Sequence, residues 1–439
     1  MKKKRVSKIY ASAALLSSLF MYPMLTNAQE TQTVDTLTQS VLKVQSDVEA
    51  LSKFKFAGYV QAQYQKADSA GINSVAGGSF PGSVESRFKV RRAEFKTMYD
   101  NGLTQVVANI NVTQEGGGAV SIKDAYGKFT EPWFKIFSVT GGIFNRPFGF
   151  ENGYSSGMLE TPERARIIQT LLPGERDLGG MITFQMPKGT LLDALKIEGG
   201  AFNGTGNSAN DFDFRKDFIG RMRWDKTAFA EKIKYGVGVS YYDGGWKRGN
   251  ASSYTMGTDS AGISTFKLSK DTMNSMTIAK RQYMGGDFQV SIDLPIGMTT
   301  IRGEYIEGQQ PGVSNSSISP AAQPTTDTYI RRFNGGYLCL IQAIWRTKHQ
   351  LVVKYDWYDP NTAVALNNIG VSTSKGFAKT NGQDLRYTTI GIGWTYKLDA
   401  NVKIIAYYDM VTNEASKSLD KWTRDLKDNV LTFRVQYKF

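Results

Sequence analysis

The sequence of 439 residues contains only one cysteine and one histidine. A lone thiol has no partner for a disulfide, which excludes a disulfide framework. One histidine and one cysteine also exclude zinc sites built from the usual ligands. They argue against a catalytic nucleophile that is activated by histidine, because only one such base is available. No glycine-rich phosphate-binding loop followed by Lys-Ser/Thr occurs. We therefore expect a protein that is not an enzyme and that uses no metal or cofactor.

Long apolar runs are also missing. After residue 28 no stretch approaches 18 consecutive apolar residues, so the sequence predicts no transmembrane helix in that part. The hydrophobic fraction is only 41%, whereas aromatic residues reach 12% and glycine occurs 44 times. A sheet with one apolar and one polar face, as in the wall of a membrane β-barrel, gives this balance.

The first 28 residues have the layout of a secretory signal peptide. A cationic start is followed by the apolar stretch Ile9–Leu25 and by Thr26-Asn27-Ala28, which offers a small-x-small cleavage site. A membrane anchor is the less favoured alternative, because the apolar stretch is shorter than the ~20 residues that a helical span needs. We expect an exported chain whose mature part starts near Gln29.

The chain carries more positive than negative charge. Of the formal net charge of +13, five charges belong to residues 1–28, and subtracting them leaves +8 for the mature part. Such an excess favours nucleic acid, anionic lipid or anionic solutes as partners. Export argues against nucleic acid, so the expected partners are small anionic solutes and the lipids of the outer membrane.

Residues 29–53 carry an apolar seam with spacings of three and four, which is a heptad pattern. The seam consists of Val34, Leu37, Val41, Val44, Val48 and Leu51. We interpret the segment as a short periplasmic coiled coil that joins copies of the chain. The alternative is an amphipathic helix that lies on the rest of the protein.

From Phe54 onward the hydrophobic period changes to two, which is typical of strands. In the last segment, for example, Phe433, Val435 and Tyr437 alternate with Arg434 and Gln436. About sixteen segments of this kind follow one another between residues 54 and 439.

The connections between these segments alternate in length. Short links such as Asp100-Asn101-Gly102 and Thr347-Lys348 mostly alternate with long links rich in glycine, serine and asparagine. A membrane barrel explains this pattern, because one rim carries short periplasmic turns and the other carries long external loops. The sequence thus predicts an all-β protein: a transmembrane antiparallel β-barrel of about 16 strands over residues 54–439, in the cell outer membrane, preceded by the coiled-coil helix.

Strand alternation sends many charged residues into the predicted lumen. The basic candidates for lining it are Arg221, Arg223, Arg302, Lys354 and Arg434. A fixed positive field raises the local concentration of anions. The alternative is that these residues brace the wall by pairing with inward-facing acids.

The long link 145–179 needs a surface to fold on, and the lumen is the natural one. It contains Arg146, Arg164, Arg166 and Arg176 together with five acidic residues, so its charges nearly cancel. We expect an inward-folded loop that constricts the pore.

Several motifs resemble the phosphate-selective porin O and P family, in particular its relatives in Bacteroidetes. They are Gly58-Tyr59-Val60-Gln61-Ala62-Gln63-Tyr64, Arg91-Arg92-Ala93-Glu94-Phe95, Asp124-Ala125-Tyr126-Gly127-Lys128-Phe129, Gly142-Ile143-Phe144-Asn145-Arg146-Pro147-Phe148-Gly149 and Arg176-Asp177-Leu178-Gly179-Gly180. The resemblance implies a sixteen-stranded homotrimeric porin with an inward-folded third loop and an N-terminal periplasmic coiled coil. It also implies that basic residues guide phosphate, as in the founding members of that family.

The sequence therefore predicts an outer-membrane porin for passive diffusion of small hydrophilic solutes, with a preference for anions such as phosphate. The competing hypothesis is a barrel that does not conduct and that serves as a membrane tether or an adhesin.

Overall fold

A computed structural model describes residues 29–113, 119–207, 210–248, 252–269 and 278–439. The predicted signal peptide, residues 1–28, lies outside this range. The chain divides into an N-terminal unit that ends at Phe54 and a second unit that spans Lys55–Phe439.

The described part of the N-terminal unit is helix α1 (Gln29–Ser52). Its apolar seam is uncovered in the single chain: Leu37, Val41, Val44, Val48 and Leu51 are each more than half exposed. Assembly of this helix into a coiled coil stays a prediction. No helix among the described residues is both long and apolar enough to cross a membrane.

The second unit is a closed antiparallel barrel of sixteen strands, which confirms the predicted fold class. Along the chain, each barrel strand pairs with the next one, and the last pairs with the first. The barrel strands are β1 (Phe54–Ala67), β2 (Ser86–Asp100), β3 (Thr104–Val112), β4 (Val120–Thr130), β5 (Phe137–Asn145), β6 (Arg176–Gln185), β7 (Leu195–Phe202), β8 (Asp217–Ala228), β9 (Ile233–Lys247), β12 (Ile278–Leu294), β13 (Gly297–Gly312), β14 (Thr328–Ala343), β15 (His349–Asp359), β17 (Tyr387–Lys397), β18 (Val402–Asn413) and β19 (Val430–Lys438).

Among the described residues, three further strands lie in long loops: β10 (Ser253–Thr258), β11 (Ser264–Leu268) and β16 (Phe377–Ala378). The hairpin of β10 and β11 pairs with β14 on one side and with β16 on the other. A second helix, α2 (Arg166–Leu171), lies in the loop between β5 and β6.

Each barrel strand presents an apolar outer face and a mostly polar inner face. In β19, Phe433 and Tyr437 are about half exposed, whereas Arg434 and Gln436 between them are almost fully buried. Large apolar side chains are exposed on the outer face of every side of the barrel, as a lipid-facing wall requires.

The predicted alternation of short turns and long loops is confirmed. Short turns follow β2, β4, β6, β8, β12, β14 and β17, and the connections at the opposite rim are longer, except for residues 113–119 between β3 and β4. Large apolar side chains are exposed in the short turns, among them Trp133, Phe134, Phe229 and Trp345. Aromatic residues at this level form the girdle that marks a membrane interface.

The predicted bounds of the long link 145–179 need a correction. β5 and β6 pair as far as Asn145 and Arg176, so the loop between them comprises residues 146–175. Arg176 is therefore a residue of β6. The pairing of β6 with β5 begins four residues earlier than the period-two pattern suggests.

The outer wall yields a test of the orientation of the strands. Val353 faces outward between Leu340 and Ile392 on the neighbouring strands. Val353→Arg should lower the free energy of unfolding in lipid vesicles by about 2–4 kcal/mol, because it places a charge in the apolar band. The control Leu398→Arg, in an exposed short turn, should cost about 0–1 kcal/mol. Equal costs for the two substitutions would contradict the orientation.

Candidate functional site

The loop 146–175 lies against the inner wall of the barrel and is held there by polar contacts at its start. The backbone N–H groups of Phe150 and Glu151 donate to the carboxylate of Glu304 on β13, at 3.1 and 3.0 Å. The N–H of Gly149 donates to Ser240 Oγ on β9, at 2.9 Å. Gly149 has φ +63°, and a Cβ there would lie 1.8 Å from Glu304 Oε1, so only glycine fits this approach.

Apolar side chains fasten the same loop to one side of the lumen. Phe148 contacts the rings of Tyr242 and Tyr283, with ring centroids 6.3 and 6.1 Å apart. Ile167 and Ile168 of α2 are fully buried in the same apolar cluster, which includes inward residues of β8, β9 and β12 to β15. Side chains thus fill this side of the lumen, whereas the cavities described below lie largely along β1 to β8.

Three arginines surround one loop carboxylate. Arg91 Nε and Arg92 Nη2 of β2 lie 2.9 and 2.7 Å from Glu163, and Arg434 Nη2 of β19 lies 2.8 Å from it. Burial alone would raise the pKa of Glu163, but the three guanidinium charges outweigh it and hold that pKa well below its usual range. This Glu163 cluster therefore carries two more positive than negative charges at neutral pH.

A second group of charges joins the end of the loop to β2 and β4. Lys123 pairs with Glu94 and lies 3.8 Å from Glu175, and Arg176 pairs with Glu175 and, at 3.0 Å, with Asp124. The group, here called the ion-pair layer, is nearly neutral. It exists because the register of β3 and β4 shifts by one residue between Asp124 and Ile122, which turns Lys123 and Asp124 to the same side.

Two cavities lie on either side of the ion-pair layer. The loop-side cavity, of about 330 Å³, is lined by four basic residues and two carboxylates. The basic residues are Arg91, Arg92, Lys123 and Arg164, and the carboxylates are Glu163 and Glu175. The turn-side cavity, of about 450 Å³, has five basic residues and three carboxylates: Lys96, Lys128, Arg176, Lys196 and Lys438 against Glu94, Asp124 and Glu198.

Most of the basic residues predicted from the sequence are paired with acids. Arg221 bonds to Asp287 at 2.8 Å, Lys354 to Glu151 at 3.0 Å, and Arg302 to Glu160. Arg164 pairs with Glu175 and also donates to the carbonyl oxygen of Glu151 at 2.9 Å. In these contacts the residues brace the loop and the wall, as the alternative interpretation of the sequence proposed.

The remaining predicted residues have different surroundings. Arg146 donates to the carbonyl oxygen of Pro173 at 2.9 Å and thereby closes the base of the loop. Arg166 stacks over the ring of Tyr387 at 4.1 Å. Arg223 pairs with Asp225 near a short turn and, together with Arg146, lines a further cavity of about 270 Å³.

Sequence reasoning did not select Arg91, Arg92, Lys96, Lys123 or Lys128 as lining residues. Strand alternation assigns only one of two adjacent residues to the lumen, so it could not place both Arg91 and Arg92 on Glu163. The register shift at Lys123 leaves no signature in the hydrophobic pattern. Lys96 and Lys128 could have been found, because they alternate with the outward residues Phe95 and Phe129.

Comparisons with known proteins support the fold. No protein-family model and no curated protein sequence matches the chain. Among solved structures, OmpF of Salmonella typhi in complex with daunomycin is similar with a TM-score of 0.50 at 9% identity, over 88% of this chain and 97% of that one. The trimer form of OmpT, an outer membrane protein of Vibrio cholerae, has a TM-score of 0.49 at 9% identity, over 88% and 99%. An anion-selective porin from Comamonas acidovorans has 0.45 at 10% identity, over 88% and 99%.

At such identities the likeness to OmpF shows the fold alone. The location of the protein follows from that fold and from its surface. A closed sixteen-stranded barrel with an apolar outer wall and aromatic side chains in its short turns is an outer-membrane protein.

The approach of Gly149 to Glu304 generates a prediction about stability. Gly149→Ala should lower the free energy of unfolding by at least about 1–2 kcal/mol, because the residue is left-handed and its Cβ would displace the Glu304 carboxylate. The matched control is Gly153→Ala in the same loop, where a Cβ would lie 3.9 Å from its nearest neighbour. Urea unfolding of both variants measures the difference. Indistinguishable midpoints would contradict the described docking of the loop.

Proposed function

We propose that the protein is a porin through which small hydrophilic solutes diffuse along the β1–β8 side of the lumen, and that it prefers anions. One observation carries this proposal: among the residues that the structure describes, both cavities along this side are lined by more cations than carboxylates. A narrow, low-dielectric passage focuses such an excess, so anions are concentrated and cations are depleted in it.

Two lysines of the turn-side cavity contribute positive charge that no ion pair among the described residues neutralises. Lys96 and Lys128 line the cavity, and neither forms an ion pair within the part of the chain that the structure describes. An unpaired cation keeps its full charge for a passing solute, whereas a paired one is largely neutralised. These two lysines therefore support an anion preference more directly than the braced arginines do.

The Glu163 cluster supports a finer proposal, which is that oxyanions such as phosphate bind in the loop-side cavity. Guanidinium groups match the geometry of phosphate oxygens and donate two parallel hydrogen bonds to them. Arg91, Arg92 and Arg434 all contact Glu163, and that carboxylate stays ionised because its pKa is low.

The ion-pair layer is the proposed constriction. It separates the two cavities, and its pairs connect residues that line one cavity with residues that line the other. An anion that moves from the Glu163 cluster towards Lys128 has to pass Lys123 and Arg176. Both cations can exchange a carboxylate partner for the anion, so the anion would keep a polar contact while it passes the ion-pair layer.

Charge reversal of the unpaired lysines tests the anion preference. Lys96→Glu combined with Lys128→Glu converts the excess of two cations in the turn-side cavity into an excess of two carboxylates. The reversal potential in a potassium chloride gradient should therefore move from anion preference towards cation preference. The measurement uses the purified protein in planar bilayers.

The control is Lys188→Glu, which changes an exposed residue of a short turn. It should leave the reversal potential within the error of the unaltered protein. A wild-type channel that prefers cations would contradict the proposal, and a barrel that never conducts would favour the tether or adhesin.

We further propose that the protein is a homotrimer joined in part by α1. The support is the uncovered heptad seam, since a helix of about twenty residues with so narrow an apolar stripe is marginal by itself in water. Packing against the same seam in other copies would cover Leu37, Val41, Val44, Val48 and Leu51.

Cysteine cross-linking tests this assembly. In a Cys339→Ser background, Val48→Cys should form disulfides between copies on oxidation, because Val48 lies on the seam. The matched control Ser46→Cys lies on the opposite side of the helix and should not cross-link. Gel electrophoresis without reductant separates the two results, and equal cross-linking of both variants would exclude the coiled coil.

A further inference from the structure

The outer wall of the barrel has an open apolar groove across β7, β8, β9, β12 and β13, with a volume of about 740 Å³. Three outward-facing glycines line it: Gly199 and Gly220 lie opposite each other, and Gly286 lies opposite Tyr305. Phe218, Tyr241, Met284 and Tyr305 form its sides, and each of these faces outward.

A polar pocket continues this groove towards the long-loop rim. It measures about 430 Å³ and shares Glu307 with the groove. Its polar lining consists of Gln282, Glu307, Gln309, Arg332, Asn334 and Thr362. Strand register fixes the arrangement, since Gln309 lies opposite Gln282 on one side and opposite Arg332 on the other.

The level of the pocket along the strands is that of lipid headgroups. Tyr305 and Trp357 face outward next to each other, with ring centroids 6.2 Å apart, and the polar row follows on the long-loop side. Aromatic side chains of this kind mark the boundary between acyl chains and headgroups. The long loops of such barrels are extracellular, so the pocket faces the outer leaflet.

Outward residues near the long-loop ends of β4, β5 and β6 are Ile122, Ile143 and Leu178, all apolar. Polar outward residues occur near the long-loop ends of other strands, such as Lys66 on β1 and Thr412 on β18. In the pocket, polar side chains of three neighbouring strands, β12 to β14, lie together.

We propose that this groove and pocket form a binding site for one outer-leaflet lipid with a phosphorylated sugar headgroup. An acyl chain lies on the glycines, where the apolar surface of the groove covers it. The amide nitrogens of Gln282 and Gln309 donate to Asp243 and to the carbonyl oxygen of Lys280, at 2.9 and 3.2 Å. Their side-chain oxygens and the amide of Asn334 bond to sugar hydroxyls. The guanidinium of Arg332 binds a phosphate, and it has no carboxylate partner among the described residues.

The amphipathic layout selects a lipid over a second copy of the chain. A neighbouring barrel would present an apolar wall, which could cover the groove but would offer no hydrogen-bonding partner to Asn334 and Arg332. An amphiphile satisfies both parts at once. Glu307 is the one carboxylate among the described residues that line the pocket. It accepts a hydrogen bond from Tyr305 at 3.0 Å and forms no ion pair with Arg332.

Lipid binding by the intact detergent-solubilised protein, measured by native mass spectrometry, tests the site. The probes are bisphosphorylated lipid A, which has sugars and phosphates, and phosphatidylglycerol, which has a phosphate but no sugar. We expect lipid A to bind at least about tenfold more tightly than phosphatidylglycerol. Gly286→Leu should weaken lipid A binding about tenfold or more, because it fills the groove at a place where a Cβ meets no atom within 4 Å.

The matched control is Gly127→Leu on β4, which also faces outward and also has no atom within 4 Å of a Cβ. It should leave lipid A binding unchanged. Arg332→Gln should weaken lipid A binding about tenfold, because it removes a charge-assisted contact. The site is overturned if Gly127→Leu weakens binding as much as Gly286→Leu, if Arg332→Gln has no effect, or if both lipids bind equally. None of these readouts depends on conduction, so the site can fail while the proposed porin function holds.

Discussion

The structure depends on the pairing of β1 with β19, which turns an open sheet into a cylinder. Lipid offers no hydrogen-bonding partners, so a sheet can cross a membrane only if no edge is left unpaired. Closure in turn gives every strand one face towards lipid and one towards the lumen. The apolar outer wall, the polar interior and the alternation of short turns and long loops are all consequences of this constraint.

The polar interior explains how the loop 146–175 is held. Buried ion pairs contribute little to stability when they are compared with apolar packing, but loss of one partner leaves an uncompensated charge and costs about 3–5 kcal/mol. Pairs such as Lys354 with Glu151 therefore fix the position of the loop rather than strengthen the fold. Around Glu163 and in the turn-side cavity, the described basic residues outnumber the described carboxylates, and the anion preference proposed above rests on this excess.

The strand count, the two rims and the class of fold were predictable because they follow from local signals: a period of two and the lengths of the links. The details of the candidate site were not. Lys123 reaches the lumen through a shift in register, Arg91 and Arg92 share one loop carboxylate, and β10, β11 and β16 pair within the long loops. Each of these features depends on contacts between distant segments, which the hydrophobic pattern of one strand does not contain.

Closure of the barrel can be measured directly by a disulfide between its first and last strands. Ala62 and Val435 lie opposite each other on the outer wall, so cysteines at the two positions fit the Cα separation that a disulfide requires. In a Cys339→Ser background, Ala62→Cys with Val435→Cys should cross-link within one chain in native membranes. Ala62→Cys with Leu431→Cys, displaced by four residues, should not. Cross-linking of the displaced pair alone, or of neither pair, would contradict the closed barrel described above.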